Sequence, residues 1–302
     1  MKNAIKVFCF VIAMIVLSTA GTYFYFTWDK GEFEVTDGAE PGTVVISKYI
    51  GEEKDVVIPK RLRTKKVNAI ESSAFEKSEI TSVTIGKNIN YIGRSAFKEC
   101  ASLKSVKLAE GVKSIGESAF YGCKALENIS VPSTVEKIDD AAFFDTAIKD
   151  IDFSRNEHFV CENGVIYNKD KTILYAALAN ADLSDYVLPE TVNSISAFAF
   201  YNHKELKSFT FNDGIKKIYN ATFIGCDSLA EIKLPSSVVS IESAAFTGSG
   251  LKKIYITDGT KTIDKNAFLK MEEQLTIVTT KGSEAEKFAN ENKFKCEIVD
   301  SL

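Results

Sequence analysis

The chain has few of the residues on which enzymes and metal sites most often depend. Its 302 residues include two histidines, one tryptophan and three methionines, and no Cys-x-x-Cys pair occurs. His158 and His203 lie in unlike local sequences, so they do not predict a Ser/His/Asp or Cys/His catalytic arrangement. A glycine-rich phosphate loop is also lacking, and the lack of a Cys/His cluster argues against structural zinc. The sequence therefore predicts no enzyme, no cofactor and no metal site.

An excess of positive charge is lacking as well. The chain has 37 basic and 41 acidic residues, a net charge of −4, which becomes −6 if Lys2 and Lys6 leave with a signal segment. A mildly acidic surface gives no electrostatic reason to bind nucleic acid or anionic lipid. We therefore expect no nucleic-acid partner, and membrane contact only through the N-terminal segment.

The longest apolar run lies at the N-terminus and allows two interpretations. Two lysines precede the apolar residues Val7 to Leu17, and small residues stand at the −3 and −1 positions for cleavage after Ala20, which is typical of a secretory signal peptide. Alternatively, Val7 to Phe26 is 20 residues, enough to span a bilayer as a helix. Residues 1–28 are thus a signal peptide or a membrane anchor, and either one places the rest of the chain outside the cytoplasm.

What the sequence does have is a repeat. The motif Ile-x-x-x-Ala-Phe, or a close variant, occurs eight times, with successive gaps of 22, 23, 23, 57, 23, 23 and 22 residues. A fixed period in this range is typical of a solenoid, in which each unit buries its apolar face against its neighbours. The motif isoleucines are Ile70, Ile92, Ile115, Ile138, Ile195, Ile218, Ile241 and Ile263.

The second half of each repeat predicts a half-buried strand. Apolar residues alternate with polar ones, as at Val106 and Leu108, and proline ends three of the strands at Pro132, Pro189 and Pro235. One strand per repeat, always in the same direction, predicts a parallel β-sheet. The motif half carries the chain back through a short strand and a turn of helix or 3₁₀ structure, and the motif phenylalanines are expected to stack. The predicted fold class is a repeat solenoid with one β-hairpin insertion.

The 57-residue gap and the two ends complete the predicted organisation. Residues 154–186 are read as an insertion, with a hairpin whose polar turn is Asn168 to Lys171. Residues 29–69 are read as an N-terminal cap with entry strands, residues 70–281 as the repeats and residues 282–302 as a C-terminal cap. In that last segment Ser283 and Glu286 have the spacing of a helix capping box.

Three of the six cysteines follow the repeat. Cys100, Cys123 and Cys226 each lie three residues after a motif phenylalanine, so they occupy one column that points into the solenoid. Parallel side chains in such a column disfavour disulfide geometry, and a buried thiol packs as a small apolar group. We expect buried free thiols, with a Cys100–Cys123 bridge as the alternative. Cys161 and Cys296 have no evident partner.

The repeat resembles the BspA-type leucine-rich repeat, a bacterial class of the leucine-rich-repeat superfamily. The resemblance runs from about Phe33 to Val299 and includes the Gly51–Pro59 entry segment, the Asn156–Asp170 insertion and the Gly-Ser-x-Ala-Glu-Lys-Phe-Ala ending. It implies a leucine-rich-repeat array and an exported surface protein that acts as an adhesin toward host matrix proteins or other cells. Asp145-Thr146 and Gly248-Ser249 depart from the Gly-Cys step of the repeat.

Two surfaces are candidates for binding. The first is the solvated side of the sheet, which is either a binding surface or an ordinary solvated face. The carboxylates at 150 and 152 are either part of a solvated strand edge or a weak calcium contact. The second is the insertion hairpin, which either exposes its tyrosines or packs on the array. The half-exposed aromatics Tyr121, Phe144 and Tyr201 could extend a contact patch. The sheet-face residues are Lys107, Asp150, Asp152, Glu231, Lys233, Lys253 and Tyr255, and the hairpin residues are Tyr167 and Tyr175.

These features predict a protein that binds a macromolecular partner non-covalently. The expected partner is a protein or glycan on a host surface, on matrix or on a neighbouring cell. The alternative is an envelope-tethered structural scaffold without a dedicated ligand.

Overall fold

The computed structural model describes residues 31–179 and 181–302. The predicted signal peptide or anchor, residues 1–28, lies outside the described residues. Within the described ranges no helix has both the length and the apolar character needed to cross a bilayer. In chain order the elements are β1 (Phe33–Asp37), β2 (Thr43–Tyr49), β3 (Asp55–Val57), β4 (Arg61–Leu62), β5 (Lys65–Ile70), β6 (Ser82–Ile85), β7 (Tyr91–Ile92), β8 (Ser105–Leu108), β9 (Ser114–Ile115), β10 (Asn128–Ser130), β11 (Lys137–Ile138), β12 (Asp150–Asp152), β13 (Phe159–Glu162), β14 (Val165–Asn168), β15 (Ile173–Ala177), β16 (Asp185–Val187), β17 (Ser194–Ile195), β18 (Ser208–Thr210), β19 (Lys217–Ile218), β20 (Glu231–Lys233), β21 (Ser240–Ile241), β22 (Lys253–Tyr255), β23 (Thr262–Ile263), β24 (Thr276–Thr280), α1 (Glu284–Glu291) and β25 (Lys295–Val299).

The predicted solenoid is confirmed, and each repeat supplies two kinds of strand. The strands of the polar-apolar alternation, which we call the face strands, pair in parallel in the groups β3-β6-β8, β10-β12, β16-β18 and β20-β22-β24-β25. The strands that end at the motif isoleucine, which we call the return strands, are two residues long except for β5, and they pair in parallel from β5 through β11 and from β19 through β23. Because every central apolar residue of a face strand points inward, the core lies between the two sets of strands.

After each return strand the chain makes a hydrogen-bonded turn, where the sequence predicted helix or 3₁₀ structure. In seven of the eight repeats the third residue after the motif isoleucine has positive φ, which lets the backbone aim two N–H groups at the next repeat. Ser118 N, for example, donates to Asp140 O at 3.1 Å and Phe120 N to Ala142 O at 2.8 Å. We call these two bonds the turn rungs. Residues at the positive-φ position are Ser73, Ser95, Ser118, Ala141, Phe198, Ala221 and Ala244.

The motif phenylalanines stack as predicted, but in two separate runs. Phe97 and Phe120 have ring centroids 5.3 Å apart and planes 3° apart, and Phe223 and Phe246 have the same values. The first run extends from Phe75 to Phe143 and the second from Phe200 to Phe268. Each ring that becomes fully buried stabilises the array by roughly 1.5–3 kcal/mol. The buried residues likewise form two core clusters rather than one.

The insertion separates those two cores. Strands β13, β14 and β15 form an antiparallel meander, so the predicted hairpin is confirmed and gains a third strand. In β14 the buried Ile166 belongs to the first core, whereas the flanking Val165 and Tyr167 belong to the second. The strand is therefore a wall with one core on each side, which explains its continuous apolar sequence.

The last part of the insertion is a repeat that the motif does not reveal. Strand β15 pairs in parallel with the return strand β17, and Leu174 stands opposite Ile195 where a motif isoleucine would be. Ala177 N donates to Ala199 O at 2.8 Å, the bond that a motif phenylalanine makes elsewhere. Strand β16 then serves as the face strand. Ala177 thus stands in the place of a phenylalanine.

Both predicted caps are present. At the N-terminus β1 and β2 form an antiparallel pair that covers the first return strand, β5. At the C-terminus Ser283 caps helix α1 and accepts a hydrogen bond from Glu286 N, as the sequence predicted. Phe288 and Phe294 then cover the last motif ring, Phe268. The caps bury the ends of the phenylalanine column.

The cysteine column is also as expected. The thiols of Cys100, Cys123 and Cys226 are buried and unbridged, and each donates to a carbonyl oxygen of the preceding repeat at 2.9–3.1 Å. Burial raises the pKa of all three thiols, to about 12 for Cys100 and Cys226. Cys161 and Cys296 are half-buried. The column is structural packing.

Candidate functional site

The solvated side of the face strands carries all seven residues predicted there. Five are exposed and two, Lys253 and Tyr255, are half-buried. The parallel register sets Glu231 beside Lys253 and Lys233 beside Tyr255. The exposed residues are Lys107, Asp150, Asp152, Glu231 and Lys233.

Several of these side chains are held by neighbours on the same face. Lys253 Nζ lies 2.8 Å from Glu297 Oε2, and the carboxylate raises the pKa of the lysine. Lys233 Nζ lies 5.0 Å from the ring centroid of Tyr255. Asp152 accepts hydrogen bonds from Ser154 and Ser130, which lower its pKa.

Three predicted residues remain available for a partner. Lys107, Asp150 and Glu231 are exposed, and Glu231 lies beside Lys253 and helps to raise the pKa of that lysine. Their exposed charges are spread along the array, on β8, β12 and β20. In the same ranges no three His, Cys, Asp or Glu side chains are grouped so that they could hold a metal ion. The face therefore offers separated charges to an extended ligand rather than one converging site.

The exposure expected for the hairpin tyrosines is wrong for Tyr167. That side chain is 4% exposed, and its hydroxyl is hydrogen-bonded to the Tyr186 hydroxyl. Burial raises the pKa of both phenols. Tyr175 is half-buried and packs edge-on against Phe159, with centroids 5.4 Å apart. Because β14 has a core on each side, its tyrosine cannot reach solvent, and the hairpin packs on the array.

The aromatics that follow the motif phenylalanines form a second ladder across the interruption. Tyr121 stacks on Phe144 at 4.8 Å, and Phe144 meets Tyr201 edge-on at 4.1 Å and Phe198 at 5.0 Å. All four are half-buried. This ladder continues where the phenylalanine column stops, so it links the two halves of the array at the surface.

Beneath this ladder is a cleft of about 150 Å³, which we call the junction cleft. One wall is the turn Ala141–Thr146, the last turn of the first run, and the opposite wall is formed by Ala176–Ala179 and Ala197–His203. Every other motif turn that is followed by another turn makes both turn rungs. Within the described residues, the rung donors of this turn, Ala141 N and Phe143 N, have no acceptor.

His203 lines the same cleft and replaces the cysteine of the repeat. It lies three residues after Phe200, is 5% exposed, and has Nε2 3.3 Å from Ala177 O. Burial lowers its pKa, so the imidazole is neutral near pH 7. His158, by contrast, is exposed beside β13. His203 therefore fills the thiol position and holds the substitute turn in place.

No motif in the sequence indicated the junction cleft directly. Its only trace was the 57-residue gap, which hides a repeat because Leu174 and Ala177 replace the motif isoleucine and phenylalanine. The hidden repeat becomes visible only from the hydrogen bonds of the turns, which the structure shows.

Comparison with known proteins agrees with this architecture. The chain is similar in structure to the pneumococcal vaccine antigen PcpA, with 18% identity, a TM-score of 0.63 and coverage of 89% of this chain and 96% of that one. It is also similar to a leucine-rich repeat protein from Eubacterium ventriosum, with 22% identity, a TM-score of 0.59 and coverage of 85% and 80%. No curated protein matches.

The sequence also matches a family model in six copies, over residues 54–171 and 171–295, which is most of the chain. That model describes the BspA type leucine rich repeat region, and the chain belongs to this family.

Proposed function

We propose that this chain is an exported or surface-anchored protein that binds a macromolecular partner non-covalently through the solvated side of its face strands. The partner is a protein or glycan on a host surface, on matrix or on a neighbouring cell. The observation that carries the proposal is the row of exposed charges on one surface, at Lys107, Asp150 and Glu231. Repeat solenoids commonly use such extended surfaces for binding.

Mixed charge on this surface supports recognition of a polar partner. Exposed charges contribute to orientation and rate of association more than to affinity. Reversal of the lysines should therefore weaken capture mainly by slowing association, and more so at low salt. An apolar partner would show little dependence on salt.

The test compares two triple variants. Lys107, Lys233 and Lys253 are changed to Glu on the face, and Lys113, Lys216 and Lys265 are changed to Glu elsewhere as a control with the same net charge. Residues 29–302 are passed over arrays of purified matrix proteins and glycans. The face variant should lose capture that the control retains, with its melting lowered only by the loss of the exposed Lys253–Glu297 ion pair. Equal capture by the two variants would remove the sheet face as the site, and no capture by the parent would favour a structural scaffold.

The N-terminal segment is tested separately, by intact mass and cell fractionation. A species of residues 21–302 in the medium indicates a cleaved, secreted binder. A full-length species in the membrane fraction indicates a tethered surface protein. A full-length species in the cytoplasm would contradict export.

A further inference from the structure

The junction cleft is a gap in an otherwise continuous bonding pattern. In the first run each turn is joined to the next turn in two ways. Its two rung N–H groups donate to carbonyl oxygens of the next turn, and its phenylalanine ring stacks on the next motif phenylalanine. At Phe143 the run ends, and the substitute turn of the insertion has Ala177 where the next ring would be. The turn that ends the first run therefore lacks both the backbone acceptors and the aromatic ring that the next repeat supplies elsewhere.

The size of the cleft agrees with that interpretation. A cavity of about 150 Å³ lined by apolar side chains is large enough to bind benzene, and the junction cleft has about this volume. Apolar groups make up much of its wall, including Ile138, Ala142, Phe143 and Ile166. The space thus matches one phenylalanine ring.

The backbone of the cleft also points to a ligand. Ala141 N and Phe143 N are two residues apart in one turn, as are the rung donors Ser118 N and Phe120 N of the preceding repeat. Buried backbone N–H groups nearly always have a partner, so open donors at a cleft indicate a site that is filled from outside, by water or by a ligand.

A strained residue on the opposite wall supports the same conclusion. Phe198 has φ of 62°, at a position where the six other motif turns with positive φ carry serine or alanine. Positive φ is unfavourable for a bulky residue, and such strain concentrates at binding sites. The strain sets the Phe198 ring against Phe144 in the aromatic ladder above the cleft.

We propose that the junction cleft binds a short peptide segment, in the turn conformation of the next repeat, in which a small residue precedes a phenylalanine. The carbonyl groups of the segment accept hydrogen bonds from Ala141 N and Phe143 N, and its phenylalanine ring enters the cleft. The same contacts occur at the other turns of the array, where the next repeat supplies both the carbonyl groups and the phenylalanine ring. The site is separate from the sheet face and does not depend on the function proposed for that face.

The probe is a peptide copied from this chain, acetyl-Ser-Ala-Phe-Tyr-Gly-amide, which is the sequence of residues 118–122. The control peptide has alanine in place of phenylalanine. Titration of isotope-labelled residues 29–302 should give saturable shifts of the Ala141 and Phe143 amide resonances at about 1 mM peptide. The control peptide should bind about tenfold or more weakly, because the buried ring is lost.

Two variants close the site in different ways. Ala177→Phe supplies the missing ring from within, and Ala179→Trp blocks the cleft from an exposed position on its wall. Ala101→Trp, at an exposed alanine of another repeat, is the matched control. Both cleft variants should abolish the peptide shifts and the control should retain them. If Ala177→Phe does not fold, Ala179→Trp decides the question.

Three results would overturn the proposal. The first is an absence of saturable shifts with the phenylalanine peptide, which would leave the cleft as a hydrated gap. The second is equal binding of the two peptides. The third is binding of phenol as tight as that of the peptide, which would make the cleft a site for small aromatic molecules and exclude a role for the open backbone edge.

Discussion

The phenylalanine column offers the most direct test of how the array is held together. Phe120 is fully buried between Phe97, at 5.3 Å, and Phe143, at 5.8 Å, with the three rings nearly parallel. Its replacement by alanine removes a ring that has close neighbours on both sides. Phenylalanine-to-alanine changes in cores cost about 3–5 kcal/mol, from lost burial and the cavity that remains. We expect Phe120→Ala to lower the free energy of unfolding by that amount.

Urea unfolding followed by circular dichroism gives the measurement, and Tyr121→Ala gives the control. Tyr121 is the next residue but is half-buried and belongs to the outer ladder. Its loss should cost about 1 kcal/mol, the typical effect of a point mutation. Equal costs for the two variants would show that the inner column is no more important than the outer ladder.

The same variant tests whether the insertion divides the array. In a repeat protein each unit contacts only its neighbours, so destabilisation is transmitted poorly over distance. Phe120→Ala should therefore reduce hydrogen-exchange protection mainly in the first core, and Phe223→Ala mainly in the second, where Phe223 stacks on Phe200 and Phe246. If each variant lost protection equally in both cores, the reasoning about a dividing wall would be refuted.

Three further predictions concern single side chains. Burial lowers the pKa of His203, so the stability that the neutral imidazole contributes is present above the unfolded pKa of about 6.5 and is lost as the pH falls through the lower folded value. His203→Cys should therefore reduce the fall in the urea unfolding midpoint between pH 7 and pH 5. An unchanged fall would contradict this role. The pKa of about 12 for Cys100 and Cys226 predicts that iodoacetamide at pH 8 leaves both unmodified in the folded protein, as peptide mass spectrometry would show, and modifies them once urea unfolds it. Ser283→Ala should cost about 1 kcal/mol through loss of the helix cap to Glu286 N, with Ser283→Thr as a milder control, and equal melting of the two would contradict the cap.

The sequence predicted those features that depend on a repeating or local pattern. The column of motif phenylalanines and the inward thiols could be located because each repeat gives the same residue the same surroundings. The C-terminal helix could be placed because a cap depends on residues only three apart, Ser283 and Glu286. Neither inference needed knowledge of distant contacts.

The insertion could not be predicted in the same way because its contacts are not repeated. One alternative placed Tyr167 at the surface because the hairpin breaks the repeat, but β14 lies between two cores. Ile166 faces one core and Val165 the other, so the strand shows no polar face. The burial of a residue in such a wall depends on what packs on each side, and this is set by tertiary structure.

The interruption also explains why a cleft can exist in an array of this kind. In a regular solenoid each turn satisfies the one before it, so no concave space or open donor remains between repeats. The substitute turn donates a hydrogen bond from Ala177 N to Ala199 O, but it accepts none from Phe143 N. Within the described residues, the rung donors Ala141 N and Phe143 N therefore have no acceptor. An unsatisfied buried donor costs about 1–3 kcal/mol. A regular turn here would supply two backbone carbonyl acceptors and remove that cost, and the chain has the substitute turn instead. The open edge is therefore best understood as a site that water or a peptide completes, and the peptide titration distinguishes between the two.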